Sequence, residues 1–146
     1  MNIPFSKNKK LSLYISIQIV GIVIATIVFV VMVNTYSTET QICIEGKEIR
    51  IEGSYGETFF LDDLSQVSLV DTLPVIKRRT NGYSFLSVKK GYFRTESNEK
   101  VKLFLHSSDG LFLKMERKVD IPIFINYKDP GKTQQVYKDI LVLTSK

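Results

Sequence analysis

The sequence predicts an N-terminal transmembrane helix followed by a mainly-β domain of about seven antiparallel strands, ended by one C-terminal α-helix. Three observations carry this reading. Residues 11–33 run for 23 residues without a charged side chain. From Gln41 onward the apolar side chains recur at every second position, punctuated by Gly, Asn and Asp. After Asp129-Pro130 the apolar spacing lengthens to three and four residues, the period of a helix with one buried stripe.

The first segment, LSLYISIQIVGIVIATIVFVVMV, covers the roughly 30 Å hydrocarbon core of a bilayer when coiled at about 1.5 Å per residue. Its Ile and Val would suit a strand, but no strand of a small domain is this long. A lone segment in lipid also satisfies its backbone hydrogen bonds only as a helix. Residues 1–10 read as a charged stub with Lys7, Lys9 and Lys10, and residues 34–40 as a short polar tether holding Tyr36 at interface depth. The apolar run exceeds the usual core of a signal peptide, which predicts an uncleaved signal-anchor, with cleavage the lesser reading. Lysines before the helix, against Glu39, Glu45 and Glu48 after it, place the N-terminus in the cytoplasm and the domain outside. Gln18, Gly21 and Ala25 share a helix face and form a candidate helix–helix contact, although small residues occur in any membrane helix.

Residues 41–146 are enough for one domain with its own core. Ile42 and Ile44, then Ile49 and Ile51, alternate with polar residues around Gly46-Lys47 and predict a hairpin with one apolar face. ETFFL and QVSLV read as the next strands, with the adjacent Asp62 and Asp63 in a turn or helix start between them rather than as a catalytic pair. Further strands are expected at GYFR, KVKLFLHS, LFLKME and IPIFINYK, with turns at Glu96–Glu99 and Asp109-Gly110. Pro122 argues for an edge or strand-start position. Asp129 caps the final helix, whose stripe is Val136, Ile140 and Leu143 with Tyr137 and Leu141.

The segment between, VIKRRTNGYSFLSVKK, carries two basic clusters, Lys77, Arg78 and Arg79 and then Lys89 and Lys90, bracketing Tyr83 and Phe85. These five cations are the candidate contacts for an anion or a lipid headgroup. The commoner role of such clusters is a solvated, turn-rich loop, with Asn81-Gly82 as its turn. The chain has a net charge of +5, of which residues 41–146 contribute 17 basic and 14 acidic side chains. Their interspersion, and the anchor, speak against nucleic acid as a ligand.

One cysteine, Cys43, excludes an internal disulfide, and with the single His106 it excludes zinc sites built from several Cys and His. His106 reads as a strand-face residue, since no nucleophile motif accompanies it. No catalytic, cofactor or metal residue is expected.

Several stretches resemble the bacterial pleckstrin-homology-like domain of small membrane proteins: Leu73-Pro74, Arg79-Thr80-Asn81-Gly82, Lys90-Gly91 with Phe93, and Ile125-Asn126 through Lys128-Asp129 to Thr133. The resemblance spans residues 42–142 and implies a half-open barrel of two bent sheets plugged by the C-terminal helix, tethered to a bacterial cell membrane. It transfers no ligand, because the turn after the first strand, Glu45-Gly46-Lys47, is short and of mixed charge. The resulting expectation is a non-enzymatic, single-pass interaction module for a protein partner, docking by strand addition or beside the last helix. The alternative is recognition of anionic lipid or envelope polymer by the basic segment.

Overall fold

The computed structural model describes residues 6–144. The chain divides into two compact units, Met1–Thr35 and Tyr36–Lys146.

The first unit is helical. Helix α1, Ser6–Ser37, is longer at both ends than the 11–33 segment, because lysine and asparagine outside the apolar run are compatible with a helix. Residues 1–5 of the stub lie outside the described residues. Leu11–Ser37 is long and apolar enough to cross a membrane, and its most apolar window is wholly unburied, unlike a core helix of a folded domain. Gln18, Gly21 and Ala25 lie on this exposed helix, and a Cβ at Gly21 would meet nothing within 4 Å.

Among its described residues the second unit contains nine strands, more than the seven or so expected. Strands β1 (Ile42–Glu45), β2 (Glu48–Ile51) and β3 (Glu57–Phe60) form a three-stranded antiparallel sheet. Its register sets Ile42 opposite Ile51 and Ile44 opposite Ile49, so the alternation produces the expected apolar face. Leu61–Asp63 is a short 3₁₀ turn in which the Asp63 carboxylate accepts from the Phe60 N–H at 2.9 Å. The second sheet comprises β4 (Leu64–Val70), β5 (Ile76–Phe85), β6 (Val88–Thr95), β7 (Lys100–Leu105), β8 (Phe112–Arg117) and β9 (Ile123–Ile125). Their spatial order is β4-β8-β9-β7-β6-β5.

Two expectations change here. The basic segment is not a loop: it is the long edge strand β5, and Asn81-Gly82 lies inside it rather than at a turn. The ladder absorbs these residues through register shifts between Ile76 and Arg78 and between Arg79 and Asn81. Nor is Asp109-Gly110 a hairpin turn between paired neighbours, because β9 inserts between β7 and β8 and runs parallel to β7. Strand β9 is thus central and not an edge. Pro122 stands just before it, where no ladder donor is required and its carbonyl accepts from Lys102 N–H at 2.9 Å.

The six-stranded sheet buries both faces. One carries Phe104, Leu113, Met115, Ile123 and Ile125 into a core shared with Ile49, Ile51 and Phe59 of the small sheet and Ile140 of helix α2, Pro130–Thr144. The other carries Phe93, Val101, Leu103, Leu105, Phe112 and Phe124. What covers this second face follows from chain length. Laid flat, six strands spaced about 4.8 Å apart separate β4 from β5 by about 24 Å. The linker between Val70 and Ile76 reaches only about 21 Å when fully extended. It must also cross from the Phe112 end of the sheet to the Thr95 end. The sheet therefore curls around the linker, with Leu73 packed on that face, yet β4 and β5 do not pair and the sheet stays open.

Asp129 caps α2 by accepting from Gly131 N–H at 2.8 Å, as its position before Pro130 predicts. Ile140 is buried and Val136, Tyr137 and Leu143 pack beside it, whereas Leu141 is 37% exposed and falls outside the stripe.

One close approach makes a sharp prediction. Gly82 and Gly91 face each other across β5 and β6, and Gly91 has φ of +107°. A Cβ at Gly91 would stand 2.5 Å from the Asn81 carbonyl oxygen. Gly91→Ala is expected to lower stability by about 1–3 kcal/mol, read as a shifted urea midpoint of the full chain in detergent. An unchanged midpoint would mean that the two strands separate without cost.

Candidate functional site

The register of β5, β6 and β7 brings together cations that are distant in sequence. Arg78 lies opposite Arg94, and Arg94 lies opposite Lys100, so three positive side chains form one row across three strands. Like charges directly opposite one another destabilise a sheet. They line an open groove of about 460 Å³ with Arg79, Thr80, Asn81 and Tyr92. Thr80, at the second register shift, donates its hydroxyl to the Tyr92 carbonyl at 3.0 Å. Arg94 is held by the following turn, donating to Asn98 O at 2.7 Å and Asn98 Oδ1 at 3.2 Å. Among the described residues, ion pairs are made by Lys47, Arg50, Lys102, Lys114, Arg117 and Lys132, so no carboxylate neutralises the row. The groove is thus lined by positive charge.

The five cations singled out from sequence do not form one cluster. Lys77, Arg78 and Arg79 are exposed at the start of β5. Lys90 and Lys89 stand on β6 near its other end, four and five residues, or about 13 and about 17 Å, from the Arg94 rung. Lys90 is 3% exposed and donates to the carbonyl of Thr38, with burial lowering its pKa. It is a structural cation. Arg94 and Lys100 take the places expected for Lys89 and Lys90. The signal for them was the Glu96–Glu99 turn, which as a hairpin sets Arg94 against Lys100.

The Lys90 contact belongs to a second cluster, where residues read as a free tether dock onto the domain. Tyr36 stacks on Tyr83 with ring centroids 4.7 Å apart. Glu39 accepts from Lys132 Nζ at 2.8 Å and from Lys128 N–H, and the lysine bond holds its carboxyl below the usual range. Thr40 donates its N–H to His106 Nε2 at 3.1 Å, and its hydroxyl lies 3.3 Å from the same atom. His106 follows β7, is buried, and has its pKa pushed down to about 4 by burial and then by Lys90. Tyr127, beneath Lys132, is raised to about 12 by burial and then by Glu39.

A further groove of about 400 Å³ runs beside the end of α2, lined by Leu61, Leu64, Val67, Leu141 and Leu143. The Lys47–Asp62 ion pair at its rim is already matched. No three His, Cys, Asp or Glu side chains gather into a metal-binding group among the described residues. No family model, curated protein or solved structure matches the chain.

Proposed function

We propose that this chain is a single-pass, non-catalytic module of a bacterial cell membrane that binds an acidic segment of a protein partner in the Arg78, Arg79, Arg94 and Lys100 groove. The observation that carries this reading is the cross-strand row of three cations, none of which forms an ion pair among the described residues. A row that costs the sheet stability is accounted for if an anionic ligand supplies the missing charge. A peptide is preferred over an envelope polymer because β5 is an edge strand, and its outward backbone groups offer hydrogen bonds that a peptide main chain can use. The groove lies about 20 Å from the tip of the β5–β6 hairpin, counted along β6 from Arg94 to Val88. The curled, open sheet and α2 support kinship with the pleckstrin-homology-like half-open barrel. The flanking charges support an outward-facing domain.

The test uses the full chain in nanodiscs of neutral lipid and a labelled poly-glutamate peptide, with polyphosphate as competitor. Wild type is expected to bind the peptide, with affinity falling as salt rises. Arg78→Gln/Arg79→Gln/Lys100→Gln is expected to bind about 100-fold more weakly, at roughly 1 kcal/mol for each cation removed. Equal binding by wild type and variant, or no peptide binding at low salt, overturns the proposal. Exclusive binding of polyphosphate transfers the groove to a polymer ligand.

A further inference from the structure

The β5–β6 hairpin ends in a two-residue turn, Leu86-Ser87, closed by the Phe85–Val88 pair. Leu86 has φ of +52° and is 83% exposed. Turns of this length favour Gly, Asn or Asp where φ is positive, and a γ-branched residue there carries backbone strain. The tip thus bears two costs, a strained backbone and a large apolar side chain in water. Phe85 beside it is 38% exposed.

The surroundings indicate what the tip meets. Three residues before Leu86, Tyr83 stacks on Tyr36 at 4.7 Å, and Tyr36 lies at the end of the apolar stretch Leu11–Ser37. A tyrosine at the end of such a stretch sits at headgroup depth, and its stacking partner is held close to it. Along β5 one direction from Tyr83 leads to Lys77, Arg78 and Arg79 and the other leads to Phe85 and Leu86. Only the second leads to apolar side chains that lose their exposure to water by entering the acyl boundary. Lys89, next on β6, adds a cation near the tip, of the kind that pairs with headgroup phosphates.

We propose that the Phe85-Leu86 tip is a second membrane contact, a wedge that dips into the bilayer surface. Burial of Leu86 in the acyl boundary removes its exposure to water and gives a leucine a role at a position that strains it. The contact is separate from the cationic groove at the other end of the hairpin, and it does not depend on what the groove binds.

The chain contains no tryptophan, which makes a single introduced indole a clean reporter. Leu86→Trp and, as control, Val119→Trp are placed in the full chain in liposomes; Val119 is 99% exposed in the segment between β8 and β9. Circular dichroism of both variants verifies the fold. The Leu86→Trp emission is expected to be blue-shifted and to fall about twofold with lipids brominated on upper acyl carbons, as for a side chain about 5–10 Å below the surface. The Val119→Trp emission is expected to remain at the water wavelength without quenching. Water-like, unquenched emission from Leu86→Trp overturns the proposal, and so does equal quenching at both positions. If the Leu86→Trp chain does not fold, Phe85→Trp is read by the same criteria.

Discussion

Glu57→Ala is expected to lower the stability of the full chain by about 3–5 kcal/mol, the cost of breaking a buried ion pair by removing one partner. Glu57, on β3 of the small sheet, lies 3.0 Å from Lys102 Nζ of β7 and 3.2 Å from Arg117 Nη1 of β8. It joins the two sheets by charge. The Lys102 side chain is 2% exposed and that of Arg117 is 6% exposed, so neither regains full hydration when the carboxylate is gone. Arg117 keeps Asp120 at 2.8 Å and the Ile121 carbonyl at 3.2 Å. Among the described residues, Lys102 Nζ keeps the faces of Tyr92 and Phe104, at 4.9 and 5.5 Å from the ring centroids. Most of the loss is therefore assigned to a stranded Lys102. Glu57→Leu/Lys102→Met removes both charges and is expected to recover most of that loss, because apolar replacement of a buried pair is often neutral. Urea denaturation of the full chain in detergent, followed by circular dichroism, measures both. A Glu57→Ala loss under about 1 kcal/mol would place the pair among weakly contributing surface bridges.

The second large effect is a fall in stability under mild acid. Thr40 N–H donates to His106 Nε2, so the neutral ring carries its proton on Nδ1, a buried atom without a hydrogen-bond partner. Protonating Nε2 would break the Thr40 bond and put a second positive charge beside Lys90. Burial and Lys90 accordingly lower the folded pKa from 6.5 to about 4, against the attraction of Glu39. Because the folded pKa lies below the unfolded one, the unfolded chain takes up the proton first as pH falls. Stability is full above about pH 6.5 and declines until about pH 4, by roughly 3 kcal/mol in total. Between pH 7 and pH 5 the expected loss is about 2 kcal/mol. Glu39, with its lowered pKa, adds a loss of the same sign only below the usual carboxyl range of about 4.5. His106→Gln keeps a neutral acceptor and is expected to abolish the loss between pH 7 and pH 5, as measured by urea midpoints. A slope that survives in this variant would assign the effect to other groups.

These effects rest on contacts that were unequally legible in the chain. The apolar helix was readable from length and absence of charge, because lipid leaves a lone segment no other backbone solution. The β1–β2 hairpin was readable from strict alternation, which decides the face on which Ile42, Ile44, Ile49 and Ile51 meet. Helix α2 was readable from the Asp129-Pro130 start and the spacing of Val136, Ile140 and Leu143. Strand β5 was not, because Lys, Arg, Asn and Gly mask the pattern and two register shifts break its period. The entry of β9 between β7 and β8 left no mark on local composition beyond its uninterrupted apolar run, IFI.

By itself, then, the sequence determined, β5 excepted, which segments coil or extend and which of their faces shed water, since both are set by neighbours three or four residues apart at most. Tertiary structure decided which cations share a groove, that Lys90 and His106 grip Thr38 and Thr40, and that Tyr36 meets Tyr83. Those outcomes depend on strand order and register between residues as many as 66 apart, as in the Thr40–His106 bond. Pairing over such separations is fixed by the packing of the whole core, and no local period records it.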